Sequence, residues 1–152
     1  KLCCGVEILL NEICEELGII KEEQKIIHGE NGKPYFEGNP IFFNMSHSGD
    51  YVACAFGRYE VGIDIEHCSN TKLSIQQIKN IFSESECRDI LSVEESLRCI
   101  RVCEIWTQKE AVVKCSGKGL IVPFNSFSVL EEKYSFWQCR FDGYALCMCV
   151  KG

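Results

Sequence analysis

Val61-Gly62-Ile63-Asp64-Ile65-Glu66 is the stretch from which the rest of the chain can be placed. Its β-branched residues at alternate positions predict a buried strand, with Gly62 as the only weak strand former. Side chains alternate across a strand, so Asp64 and Glu66 share one face while Ile63 and Ile65 share the other. Two carboxylates one pleat apart repel each other unless a cation sits between them, and hard oxygen ligands of this kind suit Mg²⁺. Taken alone, the pair reads as a strand that turns polar as it leaves the core. Other clusters along the chain move the reading to a metal site.

The 152 residues suffice for one domain or two small joined halves, and 46% hydrophobic with 25% charged residues is an ordinary globular composition. A formal net charge of -6 argues against nucleic acid as a partner and against a polybasic membrane anchor. No apolar run reaches the ~20 residues of a membrane helix. The chain starts at Lys1 rather than Met, which reads as a trimmed chain with residues missing upstream. Its twelve cysteines include no C-x-x-C pair, and most lie in apolar runs such as Val52–Phe56 and Ala145–Val150. Such a stock of free thiols points to a reducing compartment, hence a cytoplasmic protein.

Apolar spacing predicts a helix over residues 2–17, stopped by Gly18. Lys21–Lys25 reads as a short helical turn and His28–Pro34 as a polar, glycine-rich loop. Tyr35–Phe36 and Ile41–Met45 are extended around a Gly38-Asn39-Pro40 turn; Ser46–Asp50 reads as a polar turn before the strand Tyr51–Phe56, so that 41–56 forms a hairpin. After a polar loop at His67–Lys72 come helices at Leu73–Phe82 and Ser83–Leu91, the second with the capping box Ser83-x-x-Glu86. A long helix spans Glu94–Ser116 and ends at Gly117 and Gly119. Ser126–Leu130, Tyr134–Arg140 and Tyr144–Val150 complete an antiparallel meander, with Asp142-Gly143 as a hairpin turn. The class is α+β.

Three further clusters carry chemistry. Trp106, Glu110 and Lys114 share one helix face, where Glu110 and Lys114 also make an ordinary surface pair. A Trp beside an acid buries it, and a buried acid needs a partner; Glu110 then serves as a third oxygen ligand beside Asp64 and Glu66, with Lys114 left for a phosphate. Asn44-Met45-Ser46-His47-Ser48 offers hydroxyls, an imidazole and free backbone N–H groups at a strand end, which suits either a phosphate or a plain hairpin turn. A serine-hydrolase reading of Ser46 and His47 lacks a third orienting partner. Gly32-Lys33-Pro34 is a tight basic loop but not a P-loop.

Taken in order, Gly32-Lys33-Pro34, Phe43–Ser48, Gly62–Glu66 and Trp106-x-x-Lys109-Glu110-Ala111-x-x-Lys114 closely resemble the 4′-phosphopantetheinyl transferases of the Sfp type. The likeness continues through Gly117-Lys118-Gly119-Leu120 and Phe127-Ser128-Val129. It implies transfer of the phosphopantetheine arm of coenzyme A, the co-substrate, to a serine of an acyl or peptidyl carrier protein, releasing adenosine 3′,5′-bisphosphate. By the same likeness Asp64, Glu66 and Glu110 hold Mg²⁺, and Glu110 or Lys114 handles the serine proton. Ser46, His47, Asp64 and Lys114 lie at the coenzyme A phosphates, while Lys33 and Pro34 line the adenine pocket. The implied fold is two pseudo-twofold-related α+β halves with antiparallel sheets and packed helices, residues 1–58 being an incomplete first half and 59–152 a second half carrying the metal ligands. Lys1 is then a remnant of the basic group for the 3′-phosphate. A monomer is expected, with the carrier docking near Cys68–Leu73. The family serves fatty-acid, polyketide and nonribosomal-peptide carriers. The competing readings are a non-catalytic module that binds coenzyme A or a carrier, and a Mg²⁺-dependent pyrophosphohydrolase.

Overall fold

The structure, a computed structural model, describes residues 2–19, 25–38, 41–119, 122–131 and 134–151. Helix α1 (Leu2–Glu16) is followed by a short hairpin, β1 (Ile26–His28) with β2 (Pro34–Phe36), and a longer one, β3 (Phe42–Ser48) with β4 (Tyr51–Gly57). Strand β5 (Val61–His67) leads through a short 3-10 turn at Cys68–Thr71 to α2 (Ile75–Ile81), α3 (Glu84–Ser92) and α4 (Glu95–Ser116). The chain closes with β6 (Ser135–Phe141) and β7 (Tyr144–Val150), and the last sheet has the order β5-β7-β6, antiparallel throughout. The α+β class read from the sequence is the one found. The helical turn at Lys21–Lys25 falls almost wholly outside the described residues, as do Lys1 and the Asn39-Pro40 part of the loop.

Local sequence accounts for the ends of these elements. Asp142 (φ 47°) and Gly143 (φ 80°) both take left-handed backbone, the type I′ geometry that matches the twist of β6 and β7. Gly117 (φ 65°) ends α4 as a left-handed cap, its N–H donating to the Lys114 carbonyl. Ser83 caps α3, and Glu86 reaches back to the Ser83 N–H at 2.9 Å. Replacing Ser83 by alanine is expected to cost about 1 kcal/mol, read as a shift in the urea midpoint at unchanged slope.

Two expectations are corrected. Ser46, His47 and Ser48 are not a turn: they continue β3, paired with Ala53, Val52 and Tyr51, and only Gly49 and Asp50 turn. Ser126–Leu130 is not a strand; a 3-10 turn covers Phe124–Ser126, and the backbone that follows is spent on side chains of the helices.

The core lies on both faces of β5. Val61, Ile63 and Ile65 pack with Ala53, Ala55 and Tyr144, while the opposite face meets α4. There Gly62 permits an approach no other residue would allow, since a Cβ would overlap the Ala111 carbonyl oxygen and the Cys115 amide. A second cluster joins α2, α3 and α4 through Ile78, Phe82, Ile90, Val102 and Ile105, and a third joins α1 to β2 and β3 through Leu10, Cys14, Phe36 and Phe43. Cys68, Cys103, Cys115, Cys147 and Cys149 are buried free thiols, small hydrophobes of the core as their setting predicts. Among the described residues no helix is long and apolar enough to cross a membrane.

Candidate functional site

Among the described residues, strand β5 pairs through its backbone with β7 on one edge only. On the other edge its N–H groups are met by side chains of β3. Asn44 Oδ1 accepts from Ile63 N at 2.9 Å, Ser46 Oγ from Ile65 N at 3.4 Å, and Ser48 Oγ from His67 N at 3.2 Å. The three residues alternate along β3, so one buried face of one strand satisfies the edge of another. His47 falls on the opposite face and is exposed, so Ser46 and His47 are not presented together.

The same side chains hold the acids. Ser46 Oγ donates to Asp64 Oδ1 at 2.9 Å, and Lys114 Nζ donates to both, at 2.6 Å to Asp64 Oδ1 and 3.0 Å to Ser46 Oγ. Asp64 Oδ2 is buried without a hydrogen-bond partner among the described residues. Ser48 Oγ donates to Glu66 Oε2 at 2.7 Å. Lys114 thus pairs across the helix–strand interface with Asp64, not with Glu110 one turn back. Burial drives the Asp64 carboxyl upward, Glu66 adds to this, and Lys114 and Ser46 oppose it. Glu110 is also raised, first by burial and then by the charge of Asp64, with Glu66 adding to it and Lys114 opposing. The two acids of β5 and the acid of α4 are therefore within each other's field, the situation a bound cation relieves. The donors are hard oxygens, one of them orphaned, and they fit Mg²⁺. Among the described residues no group of three or more His, Cys, Asp or Glu side chains is gathered closely enough to hold a metal as it stands. The positive charge on Asp64 is the Lys114 ammonium.

Beside this cluster opens a cavity of about 350 Å³, lined by the Asn31–Pro34 loop, by Asn44 and Met45 of β3, and by Glu110, Val113 and Lys114 of α4. The loop is fastened to the end of α4. Asn31 Nδ2 donates to the Gly117 carbonyl at 2.9 Å, and Lys33 Nζ donates to the carbonyls of Cys115 at 3.0 Å and Val61 at 3.1 Å and pairs with Glu60. Lys33 borders the cavity, but its charge is buried against Glu60 and the helix terminus.

The sequence does not single out Asn44 and Ser48 as partners of β5, Glu60 as the counterion of Lys33, or Glu86 as the counterion of Lys109. The strict alternation of Asn44, Ser46 and Ser48 was the available signal for the first two. Lys109 and Glu86 are wholly buried against each other at 2.8 Å, and Lys109 also donates to the Phe127 carbonyl at 2.7 Å. Trp106 packs on Phe82 and Phe124.

Residues 60–151 match a family model described as the 4′-phosphopantetheinyl transferase superfamily. The chain is 34% identical over 126 residues to the 4′-phosphopantetheinyl transferase Sfp of Bacillus subtilis (strain 168), a match covering 82% of this chain and 55% of that protein. It is 38% identical over 124 residues to the 4′-phosphopantetheinyl transferase psf-1 of Bacillus pumilus, covering 80% and 52%. With the 4′-phosphopantetheinyl transferase AcpT of Salmonella typhi the identity is 33% over 128 residues, covering 83% and 67%. The chain thus spans about half the length of the Bacillus relatives. Among solved structures, the crystal structure of Thermotoga maritima holo-[acyl-carrier-protein] synthase shares the fold, with a TM-score of 0.50, 22% identity, and 60% of this chain and 62% of that one covered.

Proposed function

The chain belongs to the 4′-phosphopantetheinyl transferase superfamily, and on that footing we propose that it transfers the phosphopantetheine arm of coenzyme A to a serine of a carrier protein. The observation that carries this reading is the meeting of Asp64 and Ser46 on Lys114, a residue that lines the cavity together with Glu110. Asp64, Glu66 and Glu110 would hold Mg²⁺, which when bound neutralises pyrophosphate oxygens and improves the leaving group. Lys114, on the cavity wall, supplies a cation to the same oxygens and takes up part of the charge released as the phosphoanhydride breaks. The carrier serine oxygen forms the new bond to phosphorus, and adenosine 3′,5′-bisphosphate departs with the electrons of the broken one. The serine proton goes to a base, for which Glu110 is our assignment. The loop at Lys33 and Pro34 lines the cavity, the Lys33 ammonium being spent on the end of α4 and on Glu60.

The same reading makes residues 1–58 and 59–152 two halves related by a pseudo-twofold axis. Its support is a helix laid over an antiparallel hairpin in each: α1 against the β3–β4 pair, where Gly5 faces Val52, and α4 against the sheet that contains β6 and β7.

Mass spectrometry of an apo carrier protein incubated with the chain, coenzyme A and Mg²⁺ tests the proposal. A gain of one phosphopantetheine arm is expected, abolished by EDTA. Asp64→Ala should lower the rate by about 100-fold or more, as loss of one preorganised electrostatic group does. Breakdown of coenzyme A without carrier modification would replace transfer by hydrolysis. Coenzyme A binding with neither reaction would leave only a binding module.

A further inference from the structure

Asp64 and Glu66 are moored in the same way, one pleat apart. Each has one carboxylate oxygen tied down by a hydroxyl of β3. Ser46 Oγ donates to Asp64 Oδ1 and accepts the N–H of the next residue, Ile65; Ser48 Oγ donates to Glu66 Oε2 and accepts the N–H of the next residue, His67. The second oxygen of each acid accepts no hydrogen bond among the described residues. Among the described residues Asp64 Oδ2 has no partner, and both hydrogen bonds on the Glu66 carboxylate, from Ser48 and from His67 N at 3.2 Å, fall on Oε2. The two rungs differ in one respect. Lys114 reinforces the first, whereas no salt bridge reaches Glu66 among the described residues, so Ser48 is the one side chain that fixes its direction.

We propose that Ser48 is a positioning residue for metal binding: its hydroxyl holds Glu66 in the rotamer that presents Oε1 beside Oδ2 of Asp64. This rests on the reading of Asp64, Glu66 and Glu110 as metal ligands. A free glutamate samples many rotamers, and a cation that must select one of them binds more weakly. A hydroxyl that is itself buried and anchored to the backbone of β5 removes that cost before the cation arrives. The arrangement also explains why a serine stands at 48: the site needs a group that accepts from a strand N–H and donates to a carboxylate at once, which a hydroxyl does and a methyl cannot.

Mn²⁺ titration of the full chain, followed by electron paramagnetic resonance of the free ion, reads this without any turnover. Ser48→Ala should weaken Mn²⁺ binding about ten-fold or more, while Ser48→Thr, which keeps the hydroxyl, stays near the wild type. Circular dichroism melting accompanies each titration. Should Ser48→Ala not fold, Ser48→Cys, with a weak donor of similar size, is read the same way. Unchanged Mn²⁺ affinity in a folded Ser48→Ala protein overturns the role of Ser48 while leaving the metal site intact. Equal weakening in Ser48→Thr and Ser48→Ala overturns it too, since packing and not the hydroxyl would then matter. If the wild-type chain binds no Mn²⁺, the ligand assignment itself falls and takes this inference with it.

Discussion

Lys109→Met will cost the protein about 3–5 kcal/mol of stability, enough to unfold much of it at ordinary temperature given a total of about 5–15 kcal/mol. Lys109 and Glu86 are both wholly buried. The ammonium gives hydrogen bonds to both Glu86 oxygens and to the Phe127 carbonyl, and lies 3.9 Å from the centre of the Phe127 ring. Glu86 in turn accepts from the N–H groups of Ser83 and Val129, both at 2.9 Å. Methionine fills the space but leaves an ionised carboxylate with no counterion in an apolar setting. The pair as a whole is a different matter, because two charges removed together leave no orphan. Glu86→Gln combined with Lys109→Met should therefore recover a large part of the loss. Urea unfolding of the single and double variants measures this. A Lys109→Met protein with the wild-type midpoint would refute the account. Lys109 sits next to Glu110 in sequence yet points away from the cavity, so the effect belongs to the fold.

The second large effect is at Gly62. Gly62→Ala should cost about 3 kcal/mol, at the upper end for overpacking, because the added methyl meets backbone atoms of α4, which have no rotamer to change. If the protein still folds, α4 must lift from β5. Glu110 and Lys114 then move with it relative to Asp64, and a displacement of about 1 Å is worth about 100-fold in rate. The expected protein melts early and, even when folded at low temperature, transfers poorly. Thermal melting together with the carrier mass shift checks both parts. Wild-type stability with wild-type transfer would mean that α4 and β5 are less tightly joined than their contact implies.

What the sequence revealed and what it hid divide along physical lines. β5, α4, the helix stop at Gly117, the Asp142-Gly143 turn and the capping box at Ser83 are set by local pattern and were legible. Ser46 and Ser48 were misread because serine favours turns when only neighbours in sequence are weighed. In the protein their partners lie on β5, and only that edge makes a polar strand face profitable. Phe127-Ser128-Val129 alternates like a strand, but the Phe127 carbonyl is taken by Lys109 and the Val129 N–H by Glu86, so the backbone has other partners than a ladder. Glu86 was recognised as a capping residue from its spacing. Its second role needed a lysine 23 residues away to arrive beside it. For the site, the order of motifs named Asp64, Ser46, Glu110 and Lys114 together. The sequence could not say that Lys114 would cross to Asp64, or that the Lys33 charge would turn toward Glu60.

The seam between β3 and β5 has a consequence for how this architecture can vary. Strands joined through their backbones tolerate almost any substitution along the joint, since every residue brings the same N–H and C=O. Here the joint is composed of one amide and two hydroxyls, chosen residue by residue. Each rung can be strengthened, weakened or lost by a single codon change, and two of the three rungs also steer an acid. Cohesion of the strands and aim of the carboxylates are therefore heritable as one trait, and drift in the first is visible at once in the second.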